Sequence, residues 1–283
     1  MAPSTLVLRP DLKALRLNLG CGVRYRPDWT NVDLFSDDPA VLRVDLRQRF
    51  PLADNRFAAV YHSHVLEHLE RAVGQAMLNQ CFRVLAPGGI LRVVVPDLET
   101  LSRWYLDALG QATTDSGKLT DVRHRWAASG ITDQCSRDTS GGELLKLWAS
   151  TPEIKADAWL ASKAGVQALT CDAPSDSAPA NKHHRSLATR LRNSLLRRLL
   201  GRYDYHALRI GRFRLSGETH KFMYDRVSLS AAMLEAGFVQ ITAHTAVSSR
   251  ITGFDPHGLD TEADGSIYKP ESLFFEGTKP ERA

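Results

Sequence analysis

The chain has 283 residues, 43% of them hydrophobic and 24% charged, with a net charge of +4, a composition ordinary for a soluble globular protein. No run of about 18 apolar residues exists, so no spanning helix is expected, and MAPSTLVLRPDLKAL is broken by charges and prolines too early for a signal peptide to be expected. Cys21, Cys81, Cys135 and Cys171 lie far apart with no C-x-x-C pair, so reduced thiols in a cytoplasmic protein are expected.

Leu15, Leu17 and Leu19 alternate with polar residues and run into Gly20-Cys21-Gly22. This predicts a buried strand ending in a glycine turn. A second apolar stretch ends in an acid at Val32-Asp33-Leu34, and a third strand over 41–45 ends in Asp45. A fourth strand over 57–61 leads into His62-Ser63-His64. The spacing of Leu69, Val73, Met77, Leu78, Cys81, Phe82 and Leu85 predicts a helix, stopped by Ala86-Pro87-Gly88-Gly89. Residues 90–97 are a nearly all-apolar fifth strand, as suits a central parallel position, and 98–109 a further helix.

From 110 to 215 the strand–helix alternation stops. Residues 113–118 and 173–182 read as exposed links, and 152–169 as a helix. Residues 185–200 form a clearer one, with Leu187, Leu191, Leu195, Leu196, Leu199 and Leu200 on one face. Between Lys182 and Arg202 there are one lysine and six arginines with no acid, so the positive charge is local. Sheet-like order resumes after Gly217, with a helix over 228–236 capped by Gly237. A strand over 238–245, a polar loop and a last strand over 272–277 follow. No internal repeat is present.

Strand, glycine turn, strand, acid is the arrangement by which a doubly wound α/β sheet binds an adenosine-containing cofactor. A dinucleotide would require G-x-G-x-x-G and a helix N-terminus for its pyrophosphate. Tyr25 occupies the third glycine position, and 23–30, with Pro27, leaves barely room for a helix. S-adenosylmethionine (SAM) has no phosphate and needs no helix dipole, so it suits the turn better than a nicotinamide dinucleotide.

The pieces LNLGCG (17–22), NVDL (31–34), VDL (44–46), HVLEHL (64–69), FRVLAPGGILRVVVPD (82–97) and HKFMYDRVSLSAAMLEAGF (220–238) together resemble the class I SAM-dependent methyltransferases, in the family's own order. The resemblance implies a doubly wound, seven-stranded, mostly parallel α/β sheet. It divides the chain into a SAM-binding domain (1–106 and 217–283) and a mostly helical insert or lid (107–216). It implies that Gly20, Cys21 and Gly22 pass under the methionine and ribose, and that Asp33 binds the ribose hydroxyls. Asp45 and Leu46 are implied beside the adenine, with His62 and Ser63 bordering the methyl group. Asn18, where the family often has an acid, Arg24 in place of a third glycine, and the missing first helix depart from its pattern.

His64-Val65-Leu66-Glu67-His68 matches H-x-x-E-H, the inverted zincin pattern. A zinc peptidase would need both histidines inside a long helix, whereas here they directly follow a strand. The segment also resembles the E-x-x-E-H of small-RNA 2′-O-methyltransferases and ubiquinone O-methyltransferases, which bind a divalent cation there. By that resemblance His64, Glu67, His68 and His220 of the H-K-F segment would hold Mg or Mn. The alternative makes His68 a general base, Glu67 its orienter, and His64 a further member of the catalytic group, with His220 and Tyr224 as acceptor contacts.

The expected activity is methyl transfer from SAM, most naturally to oxygen of a sugar or other small hydroxyl acceptor. The set of motifs also resembles methyltransferases of bacterial surface-polysaccharide synthesis. The alternatives are a SAM-binding protein without catalysis and the zinc peptidase. The expected partners are a small-molecule or glycan acceptor and a membrane surface met through Lys182–Arg202. No nucleic acid is expected, since no aromatic residue lies between Lys182 and Gly201 to stack on bases.

Overall fold

A computed structural model describes residues 15–151, 157–170 and 187–281. Seven strands form one sheet: β1 Arg16–Leu19, β2 Thr30–Asp33, β3 Val41–Arg43, β4 Phe57–Ser63, β5 Leu85–Pro96, β6 Val239–His244 and β7 Ser272–Thr278. Their order is β3-β2-β1-β4-β5-β7-β6. Only β7 runs against its neighbours β5 and β6. The expected seven-stranded, mostly parallel sheet is therefore present. Helices α1 (Arg71–Val84) and α7 (Arg226–Glu235) flank it.

Parallel strands normally need a crossover helix, yet β1 and β2 are joined by turns alone. Two buried asparagines explain how. Asn18 and Asn31 are neighbours across the β1–β2 pair. Asn18 donates to the carbonyl of Arg24 (3.2 Å), and Asn31 donates to those of Arg26 (2.8 Å) and Trp29 (3.0 Å). These bonds satisfy carbonyls that a helix would otherwise have satisfied internally.

Alternation along the strands divides the core. Leu17, Leu19, Val60, Leu91, Val93 and Val95 face α1 and α7, where Met77, Leu78, Cys81, Leu229 and Met233 are buried. Tyr61, Val94 and Phe274 face the other way, against Trp29, Ala246 and Leu259. On that second side the sheet is covered by coil. Arg92, wholly buried, fastens it: its guanidinium bonds Asp260 (2.9 Å), Glu276 (2.9 Å) and the carbonyls of Thr245 and Ser248.

The insert is helical among its described residues: α2 Leu98–Thr114, α3 Lys118–Ser136, α4 Gly142–Ser150, α5 Ala158–Thr170 and α6 Leu187–Arg214. The expected link over 113–118 shrinks to residues 115–117, and the link over 173–182 lies outside the described residues. Val122, Trp126, Leu147, Trp148 and Leu160 build a second core, against which Trp104 and Tyr105 of α2 pack. Helix α2 thus starts at the sheet and ends in the insert, so a boundary at 106/107 cuts through a continuous helix. Helix α6 bends at Gly201 (φ 76°, ψ 177°). Its leucine face is not packed inward: Leu191, Leu195 and Leu199 are 70%, 58% and 72% exposed.

Candidate functional site

The turn after β1 puts Gly20 and Gly22 in the left-handed region, at φ 64° and 52°, where a Cβ is strained. Gly20 has a second reason to be glycine, because a Cβ there would lie 2.4 Å from Val65 Cγ2. The glycine turn and the histidine loop after β4 therefore pack directly together. Asp33, at the end of β2, accepts from the backbone N–H of Gly22 (2.9 Å) and of Phe35 (2.8 Å). A cavity of about 220 Å³ lies against the turn, its wall including Asn18, Cys21, Gly22, Tyr61, Ser63 and Lys269. Burial and then Asp33 push the Cys21 thiol up to about 11, so it meets a ligand as a neutral group.

Arg24 closes this region. Its guanidinium bonds Glu262 (2.9 Å) and the carbonyls of Leu259 and Thr261, and lies 3.7 Å from the Tyr268 ring centre. It ties the 259–268 loop to the glycine turn, at the position where the family pattern has a third glycine.

Four expected contacts stand elsewhere. Asp45 is engaged by Arg47 through both carboxylate oxygens (2.8 and 2.7 Å), and those bonds hold its pKa low. Leu46 packs against the main core. Neither lines the cavity, and Asp33 also lies outside its lining, beside Gly22. His62 is wholly buried between Leu19 and Val93 in the sheet, on the opposite face from Tyr61 and Ser63. Burial, opposed by Glu67, brings its pKa down to about 4. Tyr224, expected at the acceptor, is a core residue packed on Phe222 with ring centres 4.8 Å apart.

The histidine loop turns sharply. His64 itself is left-handed (φ 53°), an unfavourable conformation for a residue with a Cβ, and a short turn of helix over Leu66–His68 follows. The zincin arrangement, with both histidines inside one long helix, is therefore not formed. Glu67 instead sits fully buried with imidazoles around it, its Oε1 3.2 Å from His64 Nδ1 and 3.7 Å from His68 Nε2. Neither carboxylate oxygen has a well-aligned hydrogen bond. Burial would raise its pKa, but contact with His64 and the fields of His64, His68 and His220 outweigh it and bring it to about 2.

His220 arrives from the far end of the insert. The N–H groups of Lys221 (2.7 Å) and Phe222 (3.3 Å) both donate to the Glu67 carbonyl, and His220 N–H donates to Gln134 on α3 (2.9 Å). Its ring meets His68 edge-on, with centres 4.7 Å apart. Donor atoms of Glu67, His68 and His220 lie within 4.8 Å of one another. Burial lowers both histidines, His220 to about 3, so both are neutral near pH 7.

A larger cavity of about 420 Å³ opens over this cluster. His64, His68 and His220 form its floor, and Trp104, Trp126 and Trp148 of the insert contribute to its walls, with Arg137 and Lys163. His64, Tyr268 and Lys269 border both cavities, so the two meet there. His68 Nδ1, Trp148 Nε1 and Arg137 Nε are buried without a hydrogen-bond partner.

Residues 28–93, which run from the crossover through β5, match a family model described as a methyltransferase domain. The matched stretch, less than a quarter of the chain, is thus similar to a methyltransferase domain. Solved structures that align with this chain include a carbon methyltransferase, CurJ (11% identity, 96% of this chain and 50% of that one, TM-score 0.38). A SAM-dependent methyltransferase from Archaeoglobus fulgidus aligns at 11% identity over 95% of this chain and 87% of that one, with TM-score 0.39. A protein from Thermotoga maritima described as a possible histamine N-methyltransferase aligns at 11% identity, 96% and 84%, with TM-score 0.37. This chain thus spans half the length of CurJ. A comparison with curated proteins gives no match.

Around the matched stretch, the structure adds residues that sequence reasoning missed. Lys269 and Tyr268 lie in what reads as a polar loop, and nothing local marks them. Nor does the sequence mark Trp104, Trp126 and Trp148, two of which stand on helices over 118–150 that the apolar spacing does not reveal.

Proposed function

We propose that this protein transfers the methyl group of SAM to a hydroxyl oxygen of a sugar-like acceptor. The observation that carries this reading is the junction of the two cavities: one lies on the glycine turn, the other on the histidine cluster, and they share His64, Tyr268 and Lys269.

The residues of the smaller cavity suit SAM. Gly22 has nothing within 4 Å of where a Cβ would be, which leaves open space above the turn. Asp33, which lies beside the cavity and is bonded to Gly22, would accept from ribose hydroxyls, and the Lys269 ammonium is the candidate partner for a carboxylate. When bound, SAM supplies an activated methyl electrophile, so the protein's main contribution is alignment of the acceptor.

In the larger cavity, the tryptophans offer flat apolar surface to the C–H face of a pyranose. The cationic side chains of Arg137 and Lys163 on the wall would meet its oxygens, which is the usual division of labour in a small-molecule site. His68 is the base. Its ring stands on the cavity lining beside Glu67, neutral and able to accept the hydroxyl proton.

A second reading rests on Glu67. A buried carboxylate without an aligned bond is costly, and a divalent cation held by Glu67, His68 and His220 would satisfy it. That cation would lower the pKa of the acceptor hydroxyl in place of a base.

The test is incubation with SAM and a panel of neutral and acidic sugars and sugar nucleotides, with product mass read by mass spectrometry. A gain of one methyl on a sugar oxygen is the expected result. SAM binding by calorimetry with no methylated product from any hydroxyl acceptor would overturn it, in favour of a non-catalytic SAM-binding protein.

A further inference from the structure

The N-terminal part of α6 has no role in either cavity, and it presents two surfaces. Leu191, Leu195 and Leu199 recur at four-residue spacing and are all more than half exposed, so they form one apolar stripe. Arg192, Arg197, Arg198 and Arg202 accompany the stripe and are exposed, with no acid before Asp204. Where the helix bends at Gly201, a cleft of about 490 Å³ forms, lined by Arg197, Arg202, Tyr203, Tyr205, His206 and Arg209. Its polar side chains carry donors and its charges are positive, so it suits an anionic headgroup.

We infer that α6 seats this protein on an anionic phospholipid surface, with the leucine stripe among the acyl chains and the arginine cleft around a phosphate headgroup. No described helix is long and apolar enough to cross a membrane, so the contact is interfacial. An apolar stripe flanked by arginines is the pattern of a helix that lies in the membrane plane. A helix whose leucines packed on its own domain would bury them, and these are solvent-exposed. The other end of α6 is tied to the histidine site. Arg214 pairs with Asp138 (3.3 Å), and its carbonyl accepts from Lys221 Nζ (2.7 Å), next to His220. Docking through α6 would therefore bring the histidine cluster near the surface.

The experiment is sedimentation of the full chain with phosphatidylcholine vesicles, with and without phosphatidylglycerol, at low and high salt. SAM is not needed, so the result does not depend on the methyl-transfer reading. Binding to the anionic vesicles alone, weakened by salt, is expected. Neutralising Arg197→Gln or Arg202→Gln should each lower the partition coefficient about fivefold. The triple variant Leu191→Ser, Leu195→Ser, Leu199→Ser should abolish it with little change in melting temperature, because these side chains are mostly exposed in the free protein. Equal binding to both vesicle types, or to neither, overturns the inference. So does a dimer in light scattering that the triple variant dissociates, since the stripe would then belong to a second copy.

Discussion

His68 and His220 meet edge-to-face with ring centres 4.7 Å apart, although one follows β4 and the other ends the insert. The main chain, not the rings, brings them together: Lys221 and Phe222 donate to the carbonyl of Glu67, the residue before His68. The cluster is therefore assembled by main-chain contact between segments far apart in the sequence.

His68→Ala should lower kcat by about 100- to 10,000-fold, the range a general base supplies, with SAM affinity near wild type by calorimetry. A largely intact kcat would make His68 structural. Addition of EDTA separates the two readings of the cluster: loss of activity restored by magnesium or manganese assigns the cation.

The pH dependence follows from burial. Burial, opposed by Glu67, holds His68 below the ordinary histidine value of 6.5, so it is a neutral acceptor at pH 7. Activity should be level above neutrality and fall as pH drops through that lowered pKa. A kcat profile already at half its plateau above pH 7 would remove His68 from the base role.

Asp33→Ala should weaken SAM binding by about 1.5–3 kcal/mol, the usual cost of losing a charge-assisted hydrogen bond. The measurement is titration calorimetry. A Kd equal to wild type would put the ribose elsewhere.

His62 gives an acid sensitivity of its own. It is buried neutral, with a pKa of about 4 against an ordinary 6.5, so between those values the unfolded chain binds the proton and the folded chain does not. Stability is full above pH 6.5 and is lost as pH falls toward 4, by about 3 kcal/mol in all. His62→Phe, if it packs, should flatten that part of the denaturation profile. An unchanged slope would show that His62 does not govern it.

Arg92→Met should cost about 3–5 kcal/mol in denaturant unfolding, because buried Asp260 would lose its cation and keep only the Tyr61 hydroxyl, while Glu276 would fall back on Ser249 and Arg250. A loss under 1 kcal/mol would mean that water reaches the pair. Replacing Arg92, Asp260 and Glu276 together by apolar residues should recover much of the loss.

The sequence by itself determined the order of the strands along the chain, the glycine turn, the acid at Asp33 and the proximity of His64, Glu67 and His68. These are local matters: apolar alternation, glycine punctuation and short spacing are properties of a few consecutive residues. It also anticipated that β1 and β2 would be joined without a helix, because 23–30 is too short to hold one. Only the tertiary structure decided which face each of these residues met. His62 and Ser63 are adjacent in sequence, yet the pleat buries one beside Leu19 and Val93 and turns the other toward the cavity. Tyr224 went to the core, and Lys269 came from a featureless loop to the junction of the two cavities. The α6 leucines carry the same helical spacing whether they pack inward or face solvent, so periodicity could not tell the two apart. Burial depends on what lies across space from a side chain, and that is settled by contacts between segments far apart in the chain.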